Sequence, residues 1–400
     1  MKPSLLYLSP VVPALSGNGL AMRAGTVLRA LAPHYRVSLL VVSLYASPGG
    51  SMPGLLTGLC RRVIVVPPGP SVPRPAPLGP SGPDWEVFPD EPFDVVHVFR
   101  LAMLPFARPW LERNGQQRPR RHLDLDEVES MTRRRMAGLY RLNGNVPMAQ
   151  AEAAEAERSE ALQAEALRDL DRVYVCSESD RAALRPGARA EVCVLPNALP
   201  VSGQLSSKGG HGPFSFLFVG TLAYYPNEDG IVHFCRQVVP LLRRIAPREF
   251  QVVIVGFGVT ADVQQLASRP EVRLIGTVPD VAPWYAEADA VVVPIRAGGG
   301  TRIKVLEAFS YRRPVVSTSI GVEGIDVHPD QHLLVGDTPA ELATQCARLM
   351  ADPDLARALA ERSYSLFLRS YSTEALAKRV AELARPRSGW RSIAGLLLPR

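Results

Sequence analysis

The feature that most constrains this chain is a repeated alternation of short apolar runs with helical stretches. The runs SLLYLSP, RVSLLVVSLY, RVIVVPP, DVVHVFR, RHLDLD, RVYVCS and EVCVLPN occupy the first half. FSFLFVG, FQVVIVG, EVRLIG, AVVVPI, RPVVSTS and HLLVG occupy the second. Strand-length runs separated by helices predict parallel sheets joined by crossover helices. Two such series, about six strands each and without a fixed-period repeat, predict two similar α/β domains in tandem. The length agrees, since 400 residues are too many for one hydrophobic core.

The boundary falls in LPNALPVSGQLSSKGGHGPFS, where Pro, Gly and Ser accumulate before the strand pattern restarts. This gives a first domain over residues 1–200 and a second over 201–370. A proline-dense stretch over 67–92 can be neither helix nor central strand and reads as an extended surface loop. The segment AQAEAAEAERSEALQAEALRDLD is Ala- and Glu-rich and predicts a helix with a solvated charged face.

Composition excludes several classes. Hydrophobic residues make up 46% and charged residues 21%, as in an ordinary soluble domain. The net charge of +6 is spread without a basic stripe, so nucleic acid is not an expected partner. The five cysteines are far apart, with no CxxC pair and no His at metal spacing, which predicts reduced thiols and no metal site. MKPSLLYLSPVVP reads as a first strand, and no apolar run approaches the roughly 18 residues that span a bilayer. The expectation is a cytoplasmic, soluble or at most peripheral protein.

Two glycine loops invite a nucleotide reading. After the first strand, Gly17, Asn18 and Gly19 precede a helix whose free N–H groups suit an anion, although Met22 stands where GxGxxG needs its third glycine. A plain strand–helix turn is the alternative, and the second strand ends without a ribose-gripping acid. In the second half, Gly256, Gly258 and Ala261 match GxGxxA after a strand, with Asp280 downstream. The segment that follows barely makes a crossover helix, which counts against a dinucleotide.

The most informative stretch is VVVPIRAGGGTRIKVLEAFSYRRPVVSTSIGVEG. A strand ends at Pro294, Gly298, Gly299 and Gly300 follow, and a helix is expected from near Thr301. Ile303, Leu306 and Phe309 would bury one face, with Thr301, Lys304 and Glu307 on the neighbouring face. A glycine loop feeding a helix N-terminus suits a diphosphate, and Lys304 one turn in adds a full charge. Glu307 lies about 9 Å along the axis from Thr301, near the reach from a diphosphate to its ribose. A carboxylate accepts both ribose hydroxyls. The competing interpretation is a solvated Lys–Glu pair on a surface helix. The chain has only four lysines among 45 Lys and Arg, so Lys304 is a selected residue.

With these residues the chain resembles family 4 glycosyltransferases, the retaining GT-B enzymes. The resemblance runs over nearly the whole length through the SGNG loop, DVVHVFR, VYVCSESDRAAL with VLPNAL, FVGTLAYYPNEDG, IGTVPDVAPWYAEADAVVVP and GGGTRIKVLEA. It implies two Rossmann-like domains facing a cleft, with a nucleoside diphosphate sugar as substrate on the C-terminal one. It also implies no metal, no resident cofactor, and transfer with retention to a small-molecule, lipid-linked or glycan acceptor. It places the base near Val278, the ribose on Glu307, and the donor against Gly220, Gly298, Gly299, Gly300 and Thr301. Arg302 and Lys304 become the cations on the leaving group, and residues 371–400 cross back to the first domain.

The sequence departs from that pattern at several points. The family usually carries a Glu eight residues before the one matching Glu307, where this chain has Gly299. AYYPNEDG lacks the basic residue common after the FVG strand. For the functional His after the fifth strand, RHLDLDEVES offers His122, Asp124 and Asp126, which alternation would place on one strand face. Asp124 and Asp126 are candidate catalytic groups, with an acidic helix cap as the alternative. Residues 386–400 (RSGWRSIAGLLLPR with its preceding proline) combine arginines with apolar anchors and could contact a membrane, or simply dock or stay disordered. Rival functions are a nucleotide-sugar epimerase, a non-catalytic partner subunit and an NAD oxidoreductase.

Overall fold

The computed structural model describes residues 2–44, 54–66, 91–113, 118–184, 189–202 and 212–384. The linker centre, the proline-dense stretch apart from its last two residues, and the tail 386–400 lie outside the described residues.

Seven strands build the first sheet: β1 Ser4–Ser9, β2 Arg36–Val42, β3 Cys60–Val66, β4 Val95–Phe99, β5 Arg120–Asp124, β6 Arg172–Val175 and β7 Glu191–Val194. Their order is β3-β2-β1-β4-β5-β6-β7, and neighbouring strands run parallel. The second sheet holds β8 Phe214–Val219, β9 Phe250–Val255, β10 Val272–Gly276, β11 Ala290–Val293, β12 Val315–Ser317 and β13 Leu334–Val335. It is also parallel, in the order β10-β9-β8-β11-β12-β13. Every apolar run read in the sequence is a strand. They read as continuous runs because helices cover both faces of a parallel sheet. In β1, Leu6 and Leu8 enter the core on one face, while Leu5 and Tyr7 enter the core on the other.

Each sheet reverses its winding beside its first strand, between β1 and β4 and between β8 and β11. A crevice opens outside the carboxyl ends of the strands at such a point. The two crevices face one another. A Cβ added to Gly19, just after the loop that follows β1, would lie 3.1 Å from the Ile303 side chain of the second domain.

Two crossings join the domains on one side. The segment around Leu199 pairs in parallel with Ser372: the Leu199 amide donates to the Tyr371 carbonyl at 3.0 Å, and the Thr373 amide to the Leu199 carbonyl at 3.0 Å. The last helix among the described residues, Thr373–Ala384, then docks on the first domain and buries Leu376 and Val380 in its core. Arg172 donates to the Leu383 carbonyl at 2.8 Å and secures its end.

On the other side a helical hairpin, Glu129–Leu142 and Val146–Asp169, rises between β5 and β6 and reaches the second domain. Asn145 caps the second helix through the Met148 amide, and Pro147 follows in its first turn. Tyr140 stacks on Tyr225 at 4.0 Å, and Asn143 donates to Asp229 at 2.7 Å. Arg135 forms an ion pair with Glu323 and donates to the Gly298 carbonyl at 3.1 Å.

Candidate functional site

The glycine loop leaves β11 and meets the first domain before its helix starts. That helix is Ile303–Ser310, two residues later than the sequence predicted, so Thr301 and Arg302 lie in the loop. The delay has a local cause. Gly298 and Gly300 take positive φ values of 121° and 64°, and Arg302, at the N-cap, is extended. Among the described residues, the amides of Gly299 to Ile303 have no protein acceptor. The loop therefore presents a run of free N–H donors at a helix N-terminus, the arrangement that binds phosphate.

Leu306 and Phe309 are fully buried, and Val305 and Ala308 with them, which leaves Lys304 and Glu307 half-buried toward the crevice. The Lys304 ammonium donates to Asn227 Oδ1 at 2.6 Å and lies 4.4 Å from the centre of the Phe218 ring. It also crowds Gly220, where an added Cβ would be 2.9 Å from Nζ. Burial, with Arg302 nearby, lowers the Lys304 pKa to about 7. Burial raises Glu307 to about 7, against the opposing pull of the Tyr285 hydroxyl, which donates to Oε2 at 3.0 Å, and of Lys304. Tyr285 is itself fully buried and stacks on Tyr311 at 4.6 Å. The carboxylate is thus fixed on one oxygen and keeps acceptor capacity on the other.

Arg302, expected as a cation on the leaving group, is folded over the glycine loop. Its Nη1 turns back onto the carbonyls of Gly299 and Gly300 and braces the loop. Its Nε and Nη2 are buried without a partner, as is Thr301 Oγ1, so this corner holds donors awaiting an acceptor. Val278 is half-buried on the turn after β10, and the exposed Val259 lies 3.7 Å from where a Cβ on Gly276 would be.

Across the crevice, Gly17 has a φ of 104° and Asn18 caps the helix Gly19–Leu31, accepting from the Ala21 amide at 2.9 Å. The acids at the end of β5 are arranged differently from expectation. His122 and Asp124 lie on β5, but Asp126 follows the strand with a φ of 64°, so the three do not share a strand face. Asp124 has no exposed surface and pairs with the buried Arg23 at 2.6 Å. Arg23 also donates to the Leu195 carbonyl and Asn197 at 3.1 Å. Asp124 is therefore an internal strut and not a cleft-facing group, because a buried guanidinium needs its charge balanced. Burial raises the pKa of Asp126, which pairs with Arg100 at 3.1 Å. His122 is buried against Tyr174 and His97, and burial holds it neutral.

Two groups missed from sequence belong here. Asn227, within the loop noted for lacking a cation, positions Lys304. Glu127, the next residue of HLDLDEVES, reaches the glycine loop. The second-half GxGxxA run has a structural explanation: an added Cβ at Gly256 would meet the Gly220 carbonyl at 1.7 Å. Asp280 accepts from the Ala282 amide at 2.9 Å at the start of the next helix. Among the described residues no cluster of metal-ligating side chains occurs, and no helix is long and apolar enough to cross a membrane. Four cysteines are buried and Cys60 is half-buried, all as free thiols.

Comparison with known proteins bears on the fold. Residues 213–352, the domain carrying the glycine loop, match the family described as glycosyl transferases group 1. No curated protein sequence matches the chain. Among solved structures, sucrose-phosphate synthase from Thermosynechococcus elongatus superposes with a TM-score of 0.68 at 18% identity, covering 96% of this chain and 98% of that one. HepE from Anabaena in complex with UDP-glucose gives 0.65 at 15%, covering 96% and 99%. WaaG, a glycosyltransferase involved in lipopolysaccharide biosynthesis, gives 0.60 at 15%, covering 96% and 100%. The fold is thus GT-B, two parallel-sheet α/β domains about a cleft, and within its second half residues 213–352 are similar to the glycosyl transferases group 1 family.

Proposed function

We propose that this protein transfers a sugar from a nucleoside diphosphate sugar to an acceptor hydroxyl, with retention at the anomeric carbon and without a resident metal or cofactor. The observation that carries the reading is the run of unsatisfied amides at residues 299–303, with Lys304 and Glu307 one turn beyond. The amides and Lys304 suit the diphosphate, and Glu307, oriented by Tyr285, suits the ribose. HepE, similar to this chain in fold, was solved in complex with UDP and with UDP-glucose, which puts uridine nucleotides first for trial.

In this reading the bond from the anomeric carbon to the diphosphate oxygen breaks while the acceptor oxygen bonds on the same face. The acceptor's proton passes to the departing diphosphate. The protein's contribution is charge stabilisation: loop amides, Arg302 and Lys304 meet the negative charge as it grows on the leaving group. An epimerase would turn over the donor with no acceptor present.

A thermal-shift panel of UDP, GDP, ADP and dTDP tests the site. The matching nucleotide at 100 times its Kd adds about 2.7 kcal/mol of stability. Glu307→Gln keeps the shape but loses the charge, and lowers nucleoside diphosphate affinity roughly 10- to 150-fold, because hydrogen bonds to charged groups contribute about 1.5–3 kcal/mol. The 2′-deoxy nucleotide, already short of one contact, barely responds. Calorimetry showing unchanged affinities for both nucleotides in Glu307→Gln removes this helix as the nucleotide site.

A further inference from the structure

We propose that Glu127, carried by the first domain, binds hydroxyls of the transferred sugar while the second domain holds its nucleotide. The inference rests on the glycine loop being the diphosphate site.

The chain turns sharply after β5. Asp126 adopts a positive φ, a conformation costly for a residue with a Cβ, and the next side chain is thereby aimed across the crevice. Glu127 Oε2 lies 2.9 Å from where a Cβ on Gly299 would be, and its Cβ lies 3.2 Å from the same point on Gly300. A sugar esterified to a diphosphate on this loop lies within a few bonds of phosphorus. On the rim that faces the first domain it meets the Gly299–Gly300 backbone, Glu127 and Thr132.

The three acids at the end of β5 and just beyond it have separate duties. Asp124 is internal and locked to Arg23. Asp126 turns toward Arg23, Arg100 and Cys176, back into its own domain. Glu127 alone of the three is directed at the loop, with 17% of its side chain exposed.

Its carboxylate is held but not saturated. Oε1 accepts from Arg100 Nη2 at 2.8 Å and Oε2 from Thr132 Oγ1 at 2.8 Å. Each oxygen accepts two bonds, so each retains a lone pair, and two neighbouring acceptors suit two adjacent sugar hydroxyls. Burial alone would raise its pKa, but Arg100 and Thr132 hold it below the ordinary carboxylate value, leaving an ionised acceptor. Arg100 and Thr132 supply the fixed orientation that a selective contact needs.

The test compares UDP, GDP, ADP and dTDP with their glucose esters, and with 2-, 3-, 4- and 6-deoxyglucose esters of the nucleotide that binds. The proteins are the full-length wild type and Glu127→Gln. The expected result is unchanged affinity for the free nucleoside diphosphate in Glu127→Gln. With the glucose ester, kcat/KM for donor turnover falls roughly 10- to 150-fold, about 1.4–3 kcal/mol at 1.4 kcal/mol per decade. One or two deoxy positions should reproduce the loss in wild type and show no further loss in the variant. That convergence is a readout a strut between domains would not give, and the wild-type deoxy series stands even if the variant folds poorly. Equal turnover of the glucose ester by wild type and Glu127→Gln overturns the proposal, as does a wild type indifferent to every deoxy position. If no nucleoside diphosphate binds the wild type, the diphosphate-site reading fails, and this inference fails with it for that separate reason.

Discussion

Lys304 and Glu307 carry opposite charges in a place that penalises both, and their titration is the first consequence. Burial lowers the lysine to about 7 and raises the glutamate to about 7, so above pH 7 the free protein tends to lose the ammonium, and below it the carboxylate. A bound nucleoside diphosphate sugar favours both charged forms. Binding should therefore take up a proton above pH 7, through Lys304, and release one below it, through Glu307. Affinity should peak near pH 7 and fall on each side by up to tenfold per unit, with apparent pKa values that belong to the pair. The donor's diphosphate is a diester and does not titrate in this window. Calorimetry in buffers of different ionisation enthalpy reads the protons directly. Lys304→Met should flatten the alkaline limb and Glu307→Gln the acid limb; a flat profile in wild type would refute the assignment. Lys304 and Glu307 were legible from sequence because spacing put them on one helix face. Tyr285 and Asn227, which hold them, were not. They come from distant elements that only the folded sheet brings together.

Among the elements, the glycine loop and the hairpin helix Glu129–Leu142 are matched to each other. A Cβ at Gly299 would meet Thr132 Oγ1 at 1.8 Å and the Thr132 Cβ at 3.1 Å. Gly299→Ala therefore overpacks this contact, at about 1–3 kcal/mol, and should lower turnover roughly 5- to 150-fold. Thr132→Ala in the same chain removes the clashing oxygen and should recover the overpacking share of the loss but not the share due to Glu127, whose Oε2 loses its Thr132 donor; a double-mutant cycle measures the coupling. Additive losses would show that the clash is not the cause. The strands of both sheets were readable as apolar runs because parallel strands are buried on both faces. The hairpin's role was not. Its second helix was recognised from Ala and Glu content, but nothing local shows that Thr132 and Arg135 would face a loop more than 160 residues away. The shared strand face expected for His122, Asp124 and Asp126 failed for a similar reason. Alternation assumes the strand continues, whereas Asp126 leaves it with a positive φ, and Asp124 answers a buried arginine from β1's following helix.

At the scale of the whole molecule, the two domains are joined differently on their two sides. One side is covalent and apolar: the paired segments at Leu199 and Ser372, and the last helix buried in the first domain through Leu376 and Val380. The other is a polar latch at the hairpin, with Arg135 on Glu323 and the Gly298 carbonyl, Tyr140 on Tyr225, and Asn143 with Arg296 sharing Asp229. Polar interfaces within a chain are the ones expected to open. The first side then acts as hinge, and the latch sets how long the closed cleft persists. In the proposed reading the nucleotide contacts lie within the second domain and the acceptor and Glu127 contacts in the first, so loosening the latch should separate binding from turnover. Arg135→Ala with Tyr225→Ala should change nucleoside diphosphate affinity less than about threefold, since it removes no contact to the nucleotide and less than 1 kcal/mol separates such values. Turnover should fall at least about tenfold, because each closed encounter must now be assembled against a larger open population. Small-angle scattering should report a larger radius of gyration for the variant, returning toward the wild-type value with donor bound. The hinge side is untouched, so each domain keeps its own melting transition. A variant with wild-type dimensions and wild-type turnover would mean that the apolar side alone sets the closed state and that the hairpin contacts are incidental to it.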